Sequence, residues 1–592
     1  MKQTLRVVIL VTTAIVACIS VARSQQGHQQ HTHQHDPSEK LGQVNFKISC
    51  TPAAQKQFNR AVAWLHSFEY EEAEKVFTEV AVTDPRCGMA YWGIAVSNYH
   101  PLWAPPTAAQ LQTGSSAVEK AKALGATTQR ERDYIAAIEV FYKEADKVDH
   151  KTRSFAYSEA MKQLYQRHPS DSEAGVFYSL TLVATGMMAN DKSYTREKEA
   201  AQILNGVLAR EPQHPGVAHY IIHSYDYPAL AQLALPAARS YAKIAPASAH
   251  AQHMPSHIFT RLGLWPEGIR SNLDAKAAAK AFAVRNRMSG AWDEQLHAMD
   301  YLAYAYLQGA QDKQARSVLD ELNMIAKVEP ESFKVAYAAA AIPARYTLER
   351  RQWSEAAKLE LPQVDVSADV SPAGSYWKSS FPWRRFRWAV AHLHYARAIG
   401  AARSGDTTAA RTDIEQLGTI QKALVEIKGD YDWAKQVEIE RLGASAWLAY
   451  AEGNKEEALR LMRAAADLDD ATDKHPVTPG AILPAREQLG ELLLELKQPT
   501  AALHEFETSL STAPNRFNGL YGAARAARLA ADQNKLATDV KSAKTDYTKL
   551  AKTYYERLVT LARDADGVRP EINEAKAFLA GTNMKDSASR NR

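Results

Sequence analysis

The chain reads as all-α, an array of stacked antiparallel helix pairs, and three observations predict it. Across the 592 residues, Ala, Leu and aromatic side chains recur three and four apart from about Gln55 to Arg563, the spacing of one helix face. Alternating β-branched runs, the mark of half-buried strands, are nearly lacking. Several segments also share a longer pattern: a small residue, an aromatic or Leu three on, an Ala about nine further, an apolar residue four later, and a Pro or Asp at the close. A chain this long exceeds what one core organises, so repeated units or several domains are expected.

The opening, MKQTLRVVILVTTAIVACISVARSQQ, places Lys2 and Arg6 ahead of an apolar run from Val7 to Ala17 and then small residues. That three-part order is a secretory signal peptide, so residues 1–24 are expected to be removed and the protein exported, periplasmic or secreted. The run is shorter than the roughly 20 apolar residues of a membrane span, and no other run in the mature chain reaches that length. An alternative is a lipoprotein, because Ile15-Val16-Ala17-Cys18 resembles a lipobox and would make Cys18 a lipid anchor. Residues 25–50 form a His-rich flexible segment with His28, His31, His33 and His35; such tracts also collect divalent metal. In an oxidising compartment Cys50 and Cys87 are an even pair, read as a disulfide, with two buried free thiols as the alternative.

Residues 51–360 are assigned to a proximal array and 383–570 to a distal one. One unit runs Ala61, Trp64, Ala73, Phe77 and Pro85; a second runs Gly490, Leu493, Ala502, Phe506 and Pro514, with Leu489 in place. A third runs Ala446, Ala449, Ala458, Met462 and Asp470, and a fourth Ala303, Tyr306, Ala315 and Leu319, ending near Pro330. Small residues let two helices approach, larger ones fill the gap, and the closing Pro stops the second helix. These positions resemble the tetratricopeptide repeat (TPR), a helix-turn-helix unit of about 34 residues. The segments LHSFEYEEAEKVFTEVAVTDPRCGMAYWGIAVSNYHPLW and HMPSHIFTRLGLW are further similar to exported bacterial repeat proteins. The resemblance implies a TPR-like solenoid, a right-handed superhelix whose first helices line a concave groove for a protein or peptide partner.

Two breaks are expected. The prolines of His100–Gly125 suggest a loop packed by Trp103, and residues 361–382 an irregular connector. Beyond Pro570, in the C-terminal tail 571–592, a short helix is expected, with the last residues, KDSASRNR, disordered.

The stretch His214–Trp265 holds six histidines. Imidazole is the side chain most often used as a metal ligand near neutral pH. His219 and His223 share a helix face with Asp226 near them, and Tyr220 beside them is a ligand-binding candidate. Pro255 is placed in the first turn of a new helix, leaving His253 just outside it and His257 just inside, so that pair is not expected to be a simple helical pair. With alternate helices adjoining, His219, His223 and His257 are expected to converge, and His297 and Asp300 to come from the next inner helix. His219, His223, His253, His257 and His297 are the metal-ligand candidates, for zinc, copper or iron. Asp226 or Asp300 would be the acid or base. The competing reading is a buried hydrogen-bond network without metal. A second cluster, SYWKSSFPWRRFRWAVAHLHY, offers Trp383, Arg384 and Arg387 for a carboxylate or aromatic ligand; a helix start with core Trp and solvated Arg explains it as well.

Lys and Arg number 71 against 67 Asp and Glu, with no basic stripe, so nucleic-acid binding is not expected. No nucleophile elbow, phosphate loop or dinucleotide fingerprint is present. The sequence therefore puts first an exported scaffold that binds a protein, peptide or extended ligand. Second comes a metal-dependent hydrolase, oxidoreductase or metal-binding protein built on the histidines.

Overall fold

Each of the four repeat units is a pair of helices in the computed structural model of the chain. Thr51 caps the first helix, Pro52–His66, by accepting from the Ala54 amide, and Pro52 sits at the position where a missing N–H costs nothing. Its partner is Tyr70–Thr83, and Ala61, Trp64, Ala73 and Phe77 are all buried between them. The pairs Asp293–Gln308 with Asp312–Met324, Trp433–Ala451 with Lys455–Asp470, and Ala485–Glu495 with Pro499–Thr512 carry the other three patterns. The protein is an all-α, TPR-like helical-repeat solenoid. Its only strands among the described residues are Ala291–Trp292 and Val328–Glu329, paired parallel.

The structure describes residues 39–103, 105–362, 380–427, 431–536 and 546–590, the side chains of 534–536 and 582–590 excepted. The expected leader, Cys18, the histidines from His28 to His35 and nearly all of the 361–382 connector lie outside the described residues. Among those described, no helix is long and apolar enough to cross a membrane.

Two expectations are corrected. Within His100–Gly125 a helix runs over Ala108–Leu124, because the prolines all precede Thr107, which closes a capping box with Gln110. After Pro570 the helix is long, Pro570–Arg590, so the expected short helix and irregular tail are one element. Cys50 and Cys87 are bridged, with Cα atoms 5.4 Å apart.

The apolar core divides into one large cluster from Leu41 to Phe259, a second from Leu296 to Ala575, and a small third of Trp265, Tyr304 and Ala305. The histidine-rich helices lie at that seam. The non-helical segment 471–484 is laid over the inner helices: the Gly480 carbonyl accepts from the Tyr337 hydroxyl (3.2 Å) and Arg345 Nη2 (2.6 Å), and the Val477 carbonyl from the Tyr301 hydroxyl (3.3 Å). Asp293–Gln308, packed between neighbouring helices and met by this segment at Tyr301, is buried at every residue.

Candidate metal centre

Six histidines form two sets of three at the seam, and in each set one ligand atom per residue lies within 4.8 Å of the others. The first set is His219, His223 and His250. Pro215–Tyr225 carries the first two one turn apart, and Ala249–His253, capped by Ser248, carries the third. Nε2 of His219 is 3.0 Å from Nε2 of His223 and 3.2 Å from Nε2 of His250. The other ring nitrogen of His219 donates to the His66 carbonyl at 2.6 Å, so Nε2 presents a lone pair. Phe68 places its ring 4.3 Å from His219, 5.5 Å from His223 and 5.7 Å from His250, centroid to centroid. It does so from a left-handed backbone (φ 57°), a conformation that costs a bulky residue about 1 kcal/mol or more and that packing must hold.

The second set is His253, His257 and His297. His253 ends Ala249–His253, His257 lies in Pro255–Leu262, and His297 comes from Asp293–Gln308. Met254 between the first two has helical dihedrals. The chain therefore runs on through Pro255 nearly as one helix, and the four-residue interval does bring the rings together, contrary to the expectation from Pro255. His253 Nδ1 donates to Asn272 Oδ1 (2.7 Å), and that amide is fixed in orientation because its Nδ2 donates to the Gly268 carbonyl (2.8 Å). His257 Nδ1 donates to Asp226 Oδ2 at 3.0 Å. Both Nε2 atoms are thereby left as lone pairs, and they face each other at 3.1 Å. The His297 ring packs 4.1 Å from His253, and the Tyr301 hydroxyl is 3.3 Å from His257 Nε2.

Two opposed lone pairs at that distance repel unless a cation sits between them. Ions bonded to nitrogens at 2.0–2.1 Å in a tetrahedral arrangement hold those nitrogens about 3.3 Å apart. The observed spacings fall beside that value. Burial pushes the His219 imidazole down to about 3 and holds His223, His250, His253 and His297 well below their usual range. His257 is also lowered by burial, with Asp226 pulling the other way. All six are neutral at neutral pH, the form that ligates metal.

A third cluster, His66, Glu173 and His214, behaves differently. His214 Nδ1 accepts from the Val217 amide, so its Nε2 donates to Glu173 Oε1 (3.1 Å), while His66 donates to Oε2 (2.9 Å) and pairs with the Tyr220 hydroxyl (2.9 Å). Each proton there has an acceptor, so this cluster is a closed structural network.

The sequence expectation that His219, His223 and His257 converge is replaced by this division. His257 belongs with His253 and His297, and His250, which the candidate set omitted, completes the first trio. Asp226 ends the Pro215–Tyr225 helix and orients His257 from behind, where it also accepts from Arg261 Nε (2.8 Å) and lies 3.7 Å from Lys474 Nζ. It thus meets the Nδ1 side of His257, opposite the Nε2 that faces His253. Asp300 is bound by Arg345 Nη1 at 2.5 Å; burial raises its carboxyl to about 6 against the pull of Arg345. Tyr220 is fully buried and bonded to His66, so no ligand reaches it. Trp383 is a core side chain of the short 3-10 turn Trp383–Phe386, Arg384 is exposed and Arg387 half-buried, so this cluster is a helix start.

Sequence reasoning missed a cavity of about 410 Å³ lined by Tyr337, Tyr431, Trp433 and His392 among others, and by Arg261 and Lys474, the two cations that meet Asp226. Its residues come from positions 228 to 513, and no local spacing signals that assembly.

The fold and the site together define a helical-repeat protein with a buried histidine centre. No protein-family model and no curated protein matches the chain. Among solved structures it is similar to a tetratricopeptide repeat protein from Parabacteroides merdae ATCC 43184, with 14% identity, 61% of this chain and 99% of that chain covered, and a TM-score of 0.30. It is also similar to yeast Tom70, with 11% identity, 90% and 96% covered and a TM-score of 0.33. The human IFIT1 dimer with m7Gppp-AAAA gives 11% identity, 80% and 90% covered and a TM-score of 0.34.

Proposed function

We propose that this protein binds transition-metal ions in its two three-histidine sets, with the repeat array as the scaffold that holds them. The observation that carries the reading is the pair of opposed lone pairs on His253 and His257. Metal content measured on tag-free protein after incubation with zinc, copper and iron salts tests it. Bound metal that falls in the His253→Ala variant is expected; content near zero for all three metals overturns the reading.

The leader read in residues 1–24 supports loading outside the cytoplasm, as does the Cys50–Cys87 bridge. N-terminal sequencing of protein recovered from the periplasm and medium tests export.

The groove reading, a protein or peptide held by the array, draws support from the aromatic cavity around Tyr337, Tyr431 and Trp433. Against an extended ligand along the inner helices stands the 471–484 segment, which already occupies their faces around Tyr301, Tyr337 and Arg345. Pull-down of a periplasmic partner that survives truncation of the Tyr431 and Trp433 side chains would return the ligand to another surface.

A further inference from the structure

We infer that the two histidine sets form one centre for a pair of copper(I) ions, one in each set, with dioxygen as the substrate they share. The inference rests on the metal-binding reading above and adds ion number, identity and reactant.

The five-residue helix Ala249–His253 supplies a ligand to each set. His250 and His253 are three apart, so they sit on one face one turn from each other, with Cβ atoms about 5–6 Å apart. Ions held by these two rings are therefore neighbours. A second element links the sets as well: Asp226, which ends the helix that carries His219 and His223, bonds Nδ1 of His257 at 3.0 Å.

The donors decide the ion. Six imidazoles and no carboxylate make up the two sets, a nitrogen environment suited to copper, zinc, iron or nickel. Neutral ligands leave the charge of the ions uncompensated in a buried site. Asp226, the carboxylate bonded to the second set, already answers two cations, Arg261 and Lys474. Coulomb energy scales with the product of charges, so two divalent neighbours repel four times as strongly as two monovalent ones at equal distance. Among metals that imidazole holds well, copper is the one with a stable monovalent state, and its pair halves the charge to be buried.

Three protein ligands leave a position open on each ion. Phe68 covers one set, packed against Trp103, and Tyr301 flanks the other. Aromatic rings beside both open positions favour a small apolar substrate over a charged one. Dioxygen takes one electron from each copper(I) and a proton from each of two water molecules and leaves as hydrogen peroxide; each copper(II) ion keeps the hydroxide formed at its open position, so the net charge of the site is unchanged.

The test starts with anaerobic titration of tag-free full-length protein with copper(I) against the competing chelator bicinchoninate. Two equivalents per chain are expected, and one each for His223→Ala and His297→Ala, with thermal melts checking that both variants fold. On admission of air the wild type should release one hydrogen peroxide per chain. It should also show a copper(II) spin count well below two, or the half-field signal of a coupled pair. Each variant should show one full isolated spin. Binding of a single ion, preference for two zinc ions with copper(I) refused, or two full independent spins overturns the pairing, and the wild-type spin count decides even if a variant does not fold. Failure to bind any metal is a separate result, against the reading on which this one rests.

Discussion

Burial governs the chemistry of individual side chains near the centre. Imidazoles kept neutral need their second nitrogen fixed, and His257 gets this from Asp226. Ligand-orienting partners of this kind are worth 10- to 100-fold in metal affinity. Asp226→Asn should therefore weaken the second set by that factor while leaving the first unchanged, measured by chelator competition; equal affinity in both proteins would mean that Asp226 serves only Arg261 and Lys474. Glu69 gives a pH effect. It accepts from the Ser248 hydroxyl at 2.8 Å, and burial, helped by Glu294, pushes its carboxyl from 4.5 up to about 8. The folded state then keeps a proton that the unfolded chain has lost, so stability falls as pH rises from 4.5 to about 8. Glu69→Gln mimics the protonated acid. Its melting temperature should exceed that of the wild type at pH 9, with the gap closing toward pH 5.

At the scale of the elements, the repeat is a matter of where a large ring meets a missing side chain. Phe77 from the first unit fills the space at Gly93, and Phe506 fills that at Gly522, sixteen residues on in both cases. A Cβ at either glycine would lie 2.2 Å from the ring. Gly522→Ala should cost about 1–3 kcal/mol by overpacking, read by urea unfolding. Gly206, in the helix Thr195–Leu208 with nothing within 4 Å of a built Cβ, is the control: alanine there should add about 0.5–1 kcal/mol. Elements were largely legible because the helical period and the small-large pattern are local. Where a reading failed locally, the signal was present but outweighed: Thr107 and Gln110 form a capping box directly after the prolines that suggested a loop.

In the whole molecule, residues far apart in the chain close around one buried arginine. Arg516 donates to Glu487 (2.9 Å), Glu349 (2.7 Å) and the Tyr304 hydroxyl (2.8 Å), and its neighbour Asn515 accepts from the Trp265 indole (2.7 Å). Arg516→Met would leave two buried carboxylates without their cation, and a loss of about 3–5 kcal/mol is expected by denaturant unfolding. A loss under 1 kcal/mol would show that the glutamates take up protons instead. The centre likewise joins parts from across the chain. His219 and His223 were readable as a pair because one helix face holds both. Their third partner was not, since whether His250 or His257 completes the set depends on how helices cross.

The sequence by itself determined the helical class, the position of four repeat units and five of the six imidazoles, because periodicity, spacing and residue chemistry are properties of neighbours along the chain; it left Cys50 and Cys87 open between a bridge and two thiols. Only the tertiary structure decided how those imidazoles are shared between two sets, and that Asp226 stands behind His257 while Asp300 is taken by Arg345. It also decided that segment 471–484 covers the inner helices. Those outcomes turn on angles and contacts between elements that no local pattern encodes.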